Sequence, residues 1–441
     1  MRLFNAKNIQ LYLLIVFFIS VGLLILIYTN SFWEQTRLLK SSATQIYFVD
    51  NISEAHQQLI ERFNRQHHGR IEVVPVNLPF TKFSTNERKE LLARTLRSKG
   101  DRIDIFAVDL IWVPRFARWA QPLDIYFSAH ERDRMLDAAM ESCSFEEHLV
   151  AMPFYIDIGL MYYRRDLLRK LPNADALEAQ LRKSITWEAF IALGQQYPGN
   201  GSPFYMFAAK NFEGLICSYL EAVMGQKRSI FAGDTVQLYT PESRKALGLL
   251  VDMVQTYRFT PPEVVNFDEV QVYRYALAHD ALFFRGWPGF KRHFAEPGLE
   301  AKLAEVEVAA LPHFQGTAPA AVYGGWNLMI SNFSNHKPAA VEFLKFVMRE
   351  ENQALLYETG GYIPVNKALY EDSLFYRDKA DLKYYRQLLD NGIHRPFVVN
   401  YTQISDIISY YVHLAIKGEI GVDAALKQAT RVINAQTVLI R

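Results

Sequence analysis

An α/β chain of two lobes, preceded by one amino-terminal transmembrane helix, is the architecture the sequence predicts, and three observations carry it. The chain has 441 residues, more than a single core of roughly 100–200 residues usually organises. Beyond residue 44, short β-branched or aromatic runs alternate with amphipathic helical stretches. That order implies parallel strands joined by crossover helices. Ahead of them, residues 11–28 read LYLLIVFFISVGLLILIY without a charge, close to the roughly 20 apolar residues that cross a hydrocarbon core as a helix.

This amino-terminal run predicts a retained anchor rather than a cleaved leader. A signal peptide has a shorter apolar centre and then a small-x-small cleavage site, whereas Tyr28-Thr29-Asn30-Ser31-Phe32-Trp33 follows here. No cysteine stands nearby for lipid attachment. Arg2 and Lys7 precede the span and Arg37 and Lys40 follow it. With the amino group counted, the positive-inside bias slightly favours residues 1–10 in the cytoplasm and the bulk outside. Residues 29–44 read as a linker, with Trp33 at the outer interface.

Residues 45–49, 71–76 and 103–108 then read as strands. Between them Ser53 caps a helix whose Ala55, Leu59 and Phe63 share one face, the spacing of an amphipathic helix, and 87–96 reads as a second helix. A further βα region follows Pro153. There 159–163 is a buried strand, and Thr186 caps a helix through Leu193 with Glu188 in its favourable first turn. Thr240-Pro241-Glu242 opens another helix, with Leu247, Leu250, Val251 and Val254 on one side. Residues 281–284, 306–310 and 328–331 complete the strands, and 338–348, 405–414 and 423–433 are helical.

Composition excludes several classes of function. Half the residues are hydrophobic, 14% aromatic and 22% charged, which describes a packed globular chain and not a disordered or fibrous one. The net charge of +1 leaves no basic excess for a phosphate backbone, so no nucleic-acid partner is expected. Cys143 and Cys217, the two cysteines, cannot build a disulfide framework or a cysteine zinc site.

Catalytic signatures are missing. The chain has no phosphate-cradling G-x-x-x-x-G-K-[ST], no G-x-G-x-x-G after a strand, no H-E-x-x-H and no G-x-S-x-G. Ser334 to Lys337 matches S-x-x-K, but Ser334 reads better as a helix cap. His67 and His68 read as a solvated loop. Asp101, Asp104 and Asp109 surround a strand, and only Asp109 lies at its carboxyl end. No cofactor, metal or chemical step is expected.

Binding signatures are present in four places. Asp109-Leu110-Ile111-Trp112 follows the strand 103–108, and ligands of open parallel sheets bind beyond the carboxyl ends of strands. Asp109 fits either hydroxyl binding or the capping of the next turn. Tyr155 and Asp157 lie in an apolar run, where an acid must find partners, in a ligand or in nearby backbone. Arg285-Gly286-Trp287-Pro288 presents Trp287 on a turn. Gly324-Gly325-Trp326 allows close backbone approach, as a tight turn with Trp326 either lining a ligand or filling the core. Carbohydrates require this mixture: aromatic faces for C–H surfaces, and carboxylates, amides and guanidinium groups for the hydroxyl rim. With 24 Tyr, 30 Phe and 6 Trp, rings exceed what a core alone usually takes.

From residue 45 to the carboxyl end the chain resembles the extracellular solute-binding proteins of carbohydrate ABC transporters, especially the trehalose/maltose-binding branch. The residues carrying the resemblance are DIFAVDLIW at 104–112 with QPLD at 121–124, PFYIDIGLMYYRRD at 153–166 and NFEGL at 211–215. RGWP at 285–288, LPHF at 311–314, GGW at 324–326 and RP at 395–396 continue it. The resemblance implies a two-lobed periplasmic-binding-protein fold, a maltose-binding-like clamp joined by three crossings near 152–153, 310–311 and 362–367. Lobe I would take 45–152 and 311–365, and lobe II 153–310 and 366–441. It also implies that Asp109 and Asp157 bind sugar hydroxyls and that Tyr155, Trp287 and Trp326 stack on or line the sugar. Gly324 and Gly325 match a backbone-contact turn, Glu213 matches a motif position, and Trp112, Arg285, Asn366 and Arg395 complete the candidate set. The chain departs from the pattern at Asn366, where the branch has arginine, at Asn400-Tyr401 for Pro-Tyr, at Gly286 and at Ala208-Ala209. These departures bear on which sugar binds more than on its class.

The implied activity is that of a membrane-anchored, monomeric sugar receptor, extracytoplasmic and partnered with an ABC permease. A sugar sensor coupled to a membrane signalling protein is the alternative. An enzyme using Asp109 and Asp157 as paired carboxylates is a third reading without a supporting motif.

Overall fold

The computed structural model describes residues 19–22, 43–79, 82–83, 85–99, 103–199, 201–232, 235–294 and 296–440. The span expected over 11–28, apart from 19–22, and almost all of the linker lie outside the described residues. Among the described residues no helix is long and apolar enough to cross a membrane.

Two sheets organise the chain, as the alternation of strands and helices predicts. In the first, β1 (Thr44–Asp50), β2 (Ile71–Asn77) and β3 (Ile105–Asp109) run parallel, with β1 in the middle. The crossovers are α1 (Glu54–Gln66) and α2 (Thr85–Arg97). Ser53 caps α1 by accepting from the His56 amide, and Ala55, Leu59 and Phe63 are buried. The spacing of these three residues reads directly as the packed face.

β4 (Met152–Ile158) enters this sheet out of order, antiparallel to a later strand, β9. It is followed at once by β5 (Leu160–Arg164), which belongs to the second sheet. The chain therefore passes between sheets at Gly159, whose amide donates to the Val322 carbonyl. The second sheet has the order β8-β5-β7-β6, where β6 is Tyr205–Met206, β7 Phe283–Gly286 and β8 Val306–Ala309. Around it lie α3 (Trp187–Gln196), α4 (Glu213–Met224), α5 (Pro241–Gln255) and the short α6 (Phe290–His293). Thr186 and Thr240 cap α3 and α5 through their side chains.

β9 (Ala321–Ile330) returns to the first sheet and pairs antiparallel with both β3 and β4. All ten of its residues are buried, because strands cover both edges and helices cover the faces. Here the structure corrects the sequence reading, which started this strand at 328 and took Gly324-Gly325 as a turn. The two glycines lie inside the strand, and the bend falls between Trp326 and Asn327, where the register with β4 shifts. Gly325 has φ +122°, and a Cβ there would stand 2.4 Å from the Tyr155 carbonyl oxygen. The glycine pair therefore admits a neighbouring strand rather than reversing the chain.

The helices α7 (Lys337–Val347) and α8 (Glu350–Gly360) follow, and β10 (Gly392–Ile393) adds a parallel edge to β9. The last two helices, α9 (Tyr401–Ile416) and α10 (Val422–Ile440), pack on α4 and α5 beside the second sheet.

Two smaller readings are also corrected. His67 is buried; its ring stacks on Phe63 at 3.9 Å, and its nitrogens meet the Phe63 carbonyl and Glu342. Ser334 does not cap α7, whose N-cap is His336. Its hydroxyl donates to the Asp104 carboxylate and accepts from the His336 amide.

Candidate functional site

The parallel strands β1 and β3 end on acids, Asp50 and Asp109. At the same edge the antiparallel β9 brings in Gly324, Gly325 and Trp326. Trp326 lies opposite Asp109 on one side and Tyr155 on the other, and Gly324 lies opposite Asp157. One strand thus threads its glycines and indole between two carboxylates and a phenol. The sheet register assembles this group from stretches more than 200 residues apart.

From the other sheet come Trp287, just beyond β7, and Glu213, the first residue of α4. A Cβ on Gly324 would lie 2.8 Å from the Trp287 ring and 3.2 Å from the Asp157 Cβ, so the missing side chain is what lets Trp287 reach across. The Trp287 backbone is pinned: its amide donates to the Tyr273 hydroxyl at 3.0 Å, and its carbonyl accepts from the Tyr162 hydroxyl at 2.6 Å. Trp112 meets Trp326 edge-on at 5.8 Å, and Tyr155 faces Tyr362 at 4.4 Å.

Most of the charge is paired internally. Arg395, fully buried, donates to Glu213 at 2.6 Å and to Asp109 at 3.1 Å. Glu213 also accepts from the Tyr401 hydroxyl at 2.7 Å and from Ser405 at 2.8 Å. Asp109 accepts from the Ile111 amide as well, so the capping role foreseen for it coexists with the ion pair. Burial raises its pKa above the ordinary carboxylate range, and Arg395 opposes that rise. Arg285 donates to Glu221 at 2.8 Å and lies 4.0 Å from the Trp287 ring centroid.

Asp157 differs. Among the described residues no cation and no hydrogen-bond donor meets its half-buried carboxylate. Burial, and then the charge of Asp109, push its pKa up to about 7.

Asn366 does not join this group. It is wholly buried, donates to the Met348 carbonyl at 2.9 Å and accepts from the Ala368 amide at 3.0 Å. Both ends of its amide are spent on holding a turn. The arginine expected there would need room and a counter-charge that this turn does not offer.

Asp50, Arg88 and Tyr362 are the members the sequence reading missed. Arg88, from α2, donates to Asp50 at 2.8 Å and covers the Trp326 ring at 4.5 Å. Asp50 obeys the same end-of-strand rule as Asp109, so that signal was available. His56 lies 3.8 Å from Asp50 and stacks on Tyr362 at 4.9 Å; burial keeps its imidazole below its ordinary range.

The facing walls are drawn together. Within the first sheet and its helices, Asp50, Arg88, Trp112 and Trp326 line a cavity of about 10 Å³. Asp406 of α9 lies 3.3 Å from Asn86 and 4.0 Å from Lys89 of α2. Arg292 of α6 donates to the Glu358 carbonyl at 2.7 Å and to that of Tyr357 at the end of α8.

Residues 58–383 match the family described as bacterial extracellular solute-binding protein. The chain belongs to that family. A probable ABC transporter-binding protein of Deinococcus radiodurans is 25% identical over 348 residues, 78% of this chain and 82% of the relative. Maltose-bound MalE3 of T. maritima superposes with a TM-score of 0.80 at 27% identity, covering 89% of this chain and 100% of the other. The GacH receptor of Streptomyces glaucescens gives 0.75 at 18% identity, over 88% and 97%. In this solute-binding protein the two sheets are thus the cores of the two lobes of a maltose-binding-like α/β fold.

Proposed function

We propose that this solute-binding protein captures a di- or oligosaccharide between its lobes for an ABC importer. The observation that carries the reading is the cluster of Trp326, Tyr155, Tyr362 and Trp287 with Asp109 and Asp157 between the two sheets. Rings supply the surface on which sugar C–H faces lie, and carboxylates accept from hydroxyls in charge-assisted bonds. A few such contacts suffice for micromolar affinity, about 8 kcal/mol. MalE3, which binds maltose, supports the ligand class, and the Deinococcus relative supports the transport system.

The walls meet where Asp406 of α9 contacts Asn86 and where Arg292 of α6 contacts the end of α8, so the lobes part to admit a sugar and close over it. Lobe I is 45–158 with 311–365 and lobe II 159–310 with 366–441, turning about crossings near 159, 310–311 and 362–367; the first crossing moves from the expected 152–153 because β4 still belongs to the first sheet. The ligand shifts the balance by binding the closed arrangement better than the open one, and hinge closure around a ligand is the motion by which periplasmic binding proteins work. Residues 11–28 tether the receptor beside its permease, with the lobes outside the cytoplasm. The receptor acts as a monomer and performs no chemical step.

Calorimetry over a panel of disaccharides and oligosaccharides tests the ligand class, and saturable binding by at least one is expected. No saturable heat from any member would overturn it. Replacing Trp287 and Trp326 together by alanine is expected to abolish that binding while circular dichroism stays unchanged. Retained affinity would remove both rings from the site.

A further inference from the structure

The acids between the lobes are not equivalent. Asp50 meets Arg88, Asp109 and Glu213 share Arg395, and Glu221 meets Arg285. Asp157 meets no basic group among the described residues, and the charge that acts on it is another carboxylate, Asp109. A carboxylate withdrawn from water without a counter-charge is costly. What surrounds it instead is aromatic. Tyr155 precedes it by two residues on the same strand and lies 4.4 Å from Tyr362, the Trp287 ring lies over the same glycine as the Asp157 Cβ, and its charge also raises the pKa of the phenols of Tyr162, Tyr273 and Tyr385. These phenols come from β4, β5, the segment after α8 and the helices 269–278 and 380–389.

A lone carboxylate beside aromatic rings can hold an organic ammonium: the anion supplies charge and a neighbouring ring face adds cation–π attraction. A neutral hydroxyl can donate one hydrogen bond to Asp157 but leaves the charge uncompensated. We infer that the ligand of this receptor is a sugar bearing a protonated amine, with the ammonium seated on Asp157 among the tyrosines. This rests on the carbohydrate reading above and adds the substituent.

The test compares, by calorimetry on the full chain at about pH 7.5, where Asp157 is mostly ionised, maltose and cellobiose, each disaccharide with one hydroxyl replaced by a primary amine, and the N-acetylated amines. Choline serves as a cation without a sugar. One amine-bearing sugar is expected to bind about ten- to a hundredfold tighter than its neutral and acetylated counterparts, the span of one charge-assisted contact. In Asp157→Asn that preference should fall below about twofold, with the neutral sugars as internal reference. The wild-type ranking decides the matter alone should the variant not fold. Equal or weaker binding of the amines, with neutral sugars bound, overturns the inference and leaves the carbohydrate reading standing. Binding of choline alone, or of nothing, overturns both.

Discussion

Asp109 and Asp157 stand on strands that flank the same central strand, yet the regions around them are built on opposite principles. Asp109 sits in a network in which Arg395, Glu213, Tyr401 and Ser405 satisfy one another. Asp157 has an aromatic neighbourhood and no partner among the described residues. The first region pairs its charges without a ligand, leaving only the Arg395 Nε without an acceptor among these groups, and ties the end of β3 to α4 and α9. The second is incomplete and gains most from a guest. The contrast teaches that acids in one cleft divide between holding the lobes and reading what enters.

The largest effect is expected on the paired side. Arg395→Ala leaves Asp109 and Glu213 buried without their counter-charge, and removing one partner of a buried network costs about 3–5 kcal/mol. Urea denaturation should show that loss as a lower midpoint, and Arg395→Lys should recover part of it, since an ammonium lacks the fork that spans two carboxylates. A loss under about 1 kcal/mol would mean that this network does not hold the lobes.

The seam between the regions comes next. Gly325→Ala places a side chain at φ +122° and a Cβ 2.4 Å from the backbone oxygen of Tyr155. Strain of this kind costs about 2–3 kcal/mol, and β4 must shift, carrying Tyr155 and Asp157 with it. Gly324→Ala meets the Trp287 ring at 2.8 Å, a side chain that can swing, so its stability loss should be smaller and its loss of sugar affinity larger. Identical behaviour of the two variants in thermal denaturation and calorimetry would remove the distinction between a structural and a ligand-facing glycine.

How much of this was legible depends on the range of the interaction that decides each residue. Helix caps at Ser53, Thr186 and Thr240 are local, and all three read correctly. Asp109 was legible through the rule for strand ends. Asp50 is legible by the same rule but was passed over, because the strand was read as ending at 49 and Asn51 and Ser53 directly after it draw attention to the helix start. Arg88 gives no local sign, since it looks like any charged residue of an amphipathic helix until Asp50 and Trp326 are placed beside it. The glycine pair misled because two glycines favour turns locally, whereas the closeness of Tyr155 is set by a strand 170 residues away in sequence. His67 misled for the same reason, as Glu342 comes from α7.

The smallest of these effects is also the one that most directly separates the two carboxylates. Burial raises Asp157 from the ordinary carboxylate range to about 7, so the folded chain holds that proton more tightly than the unfolded chain does. Between about pH 4 and pH 7 folding therefore takes up a proton, and the stability Asp157 contributes declines as pH rises through that window and is level above it. Asp157→Asn removes the titration without removing the shape. Near pH 4 variant and wild type should have the same midpoint. At pH 8 the variant should be the more stable by about 2 kcal/mol, below the full value of the shift because the side chain keeps some contact with water. Thermal midpoints of both proteins from pH 4 to pH 8 measure the difference, in which the titration of Asp109 and the other shared acids cancels. Parallel curves would mean that Asp157 already has a counter-charge, and that the division between the holding and the reading side of the cleft is wrong.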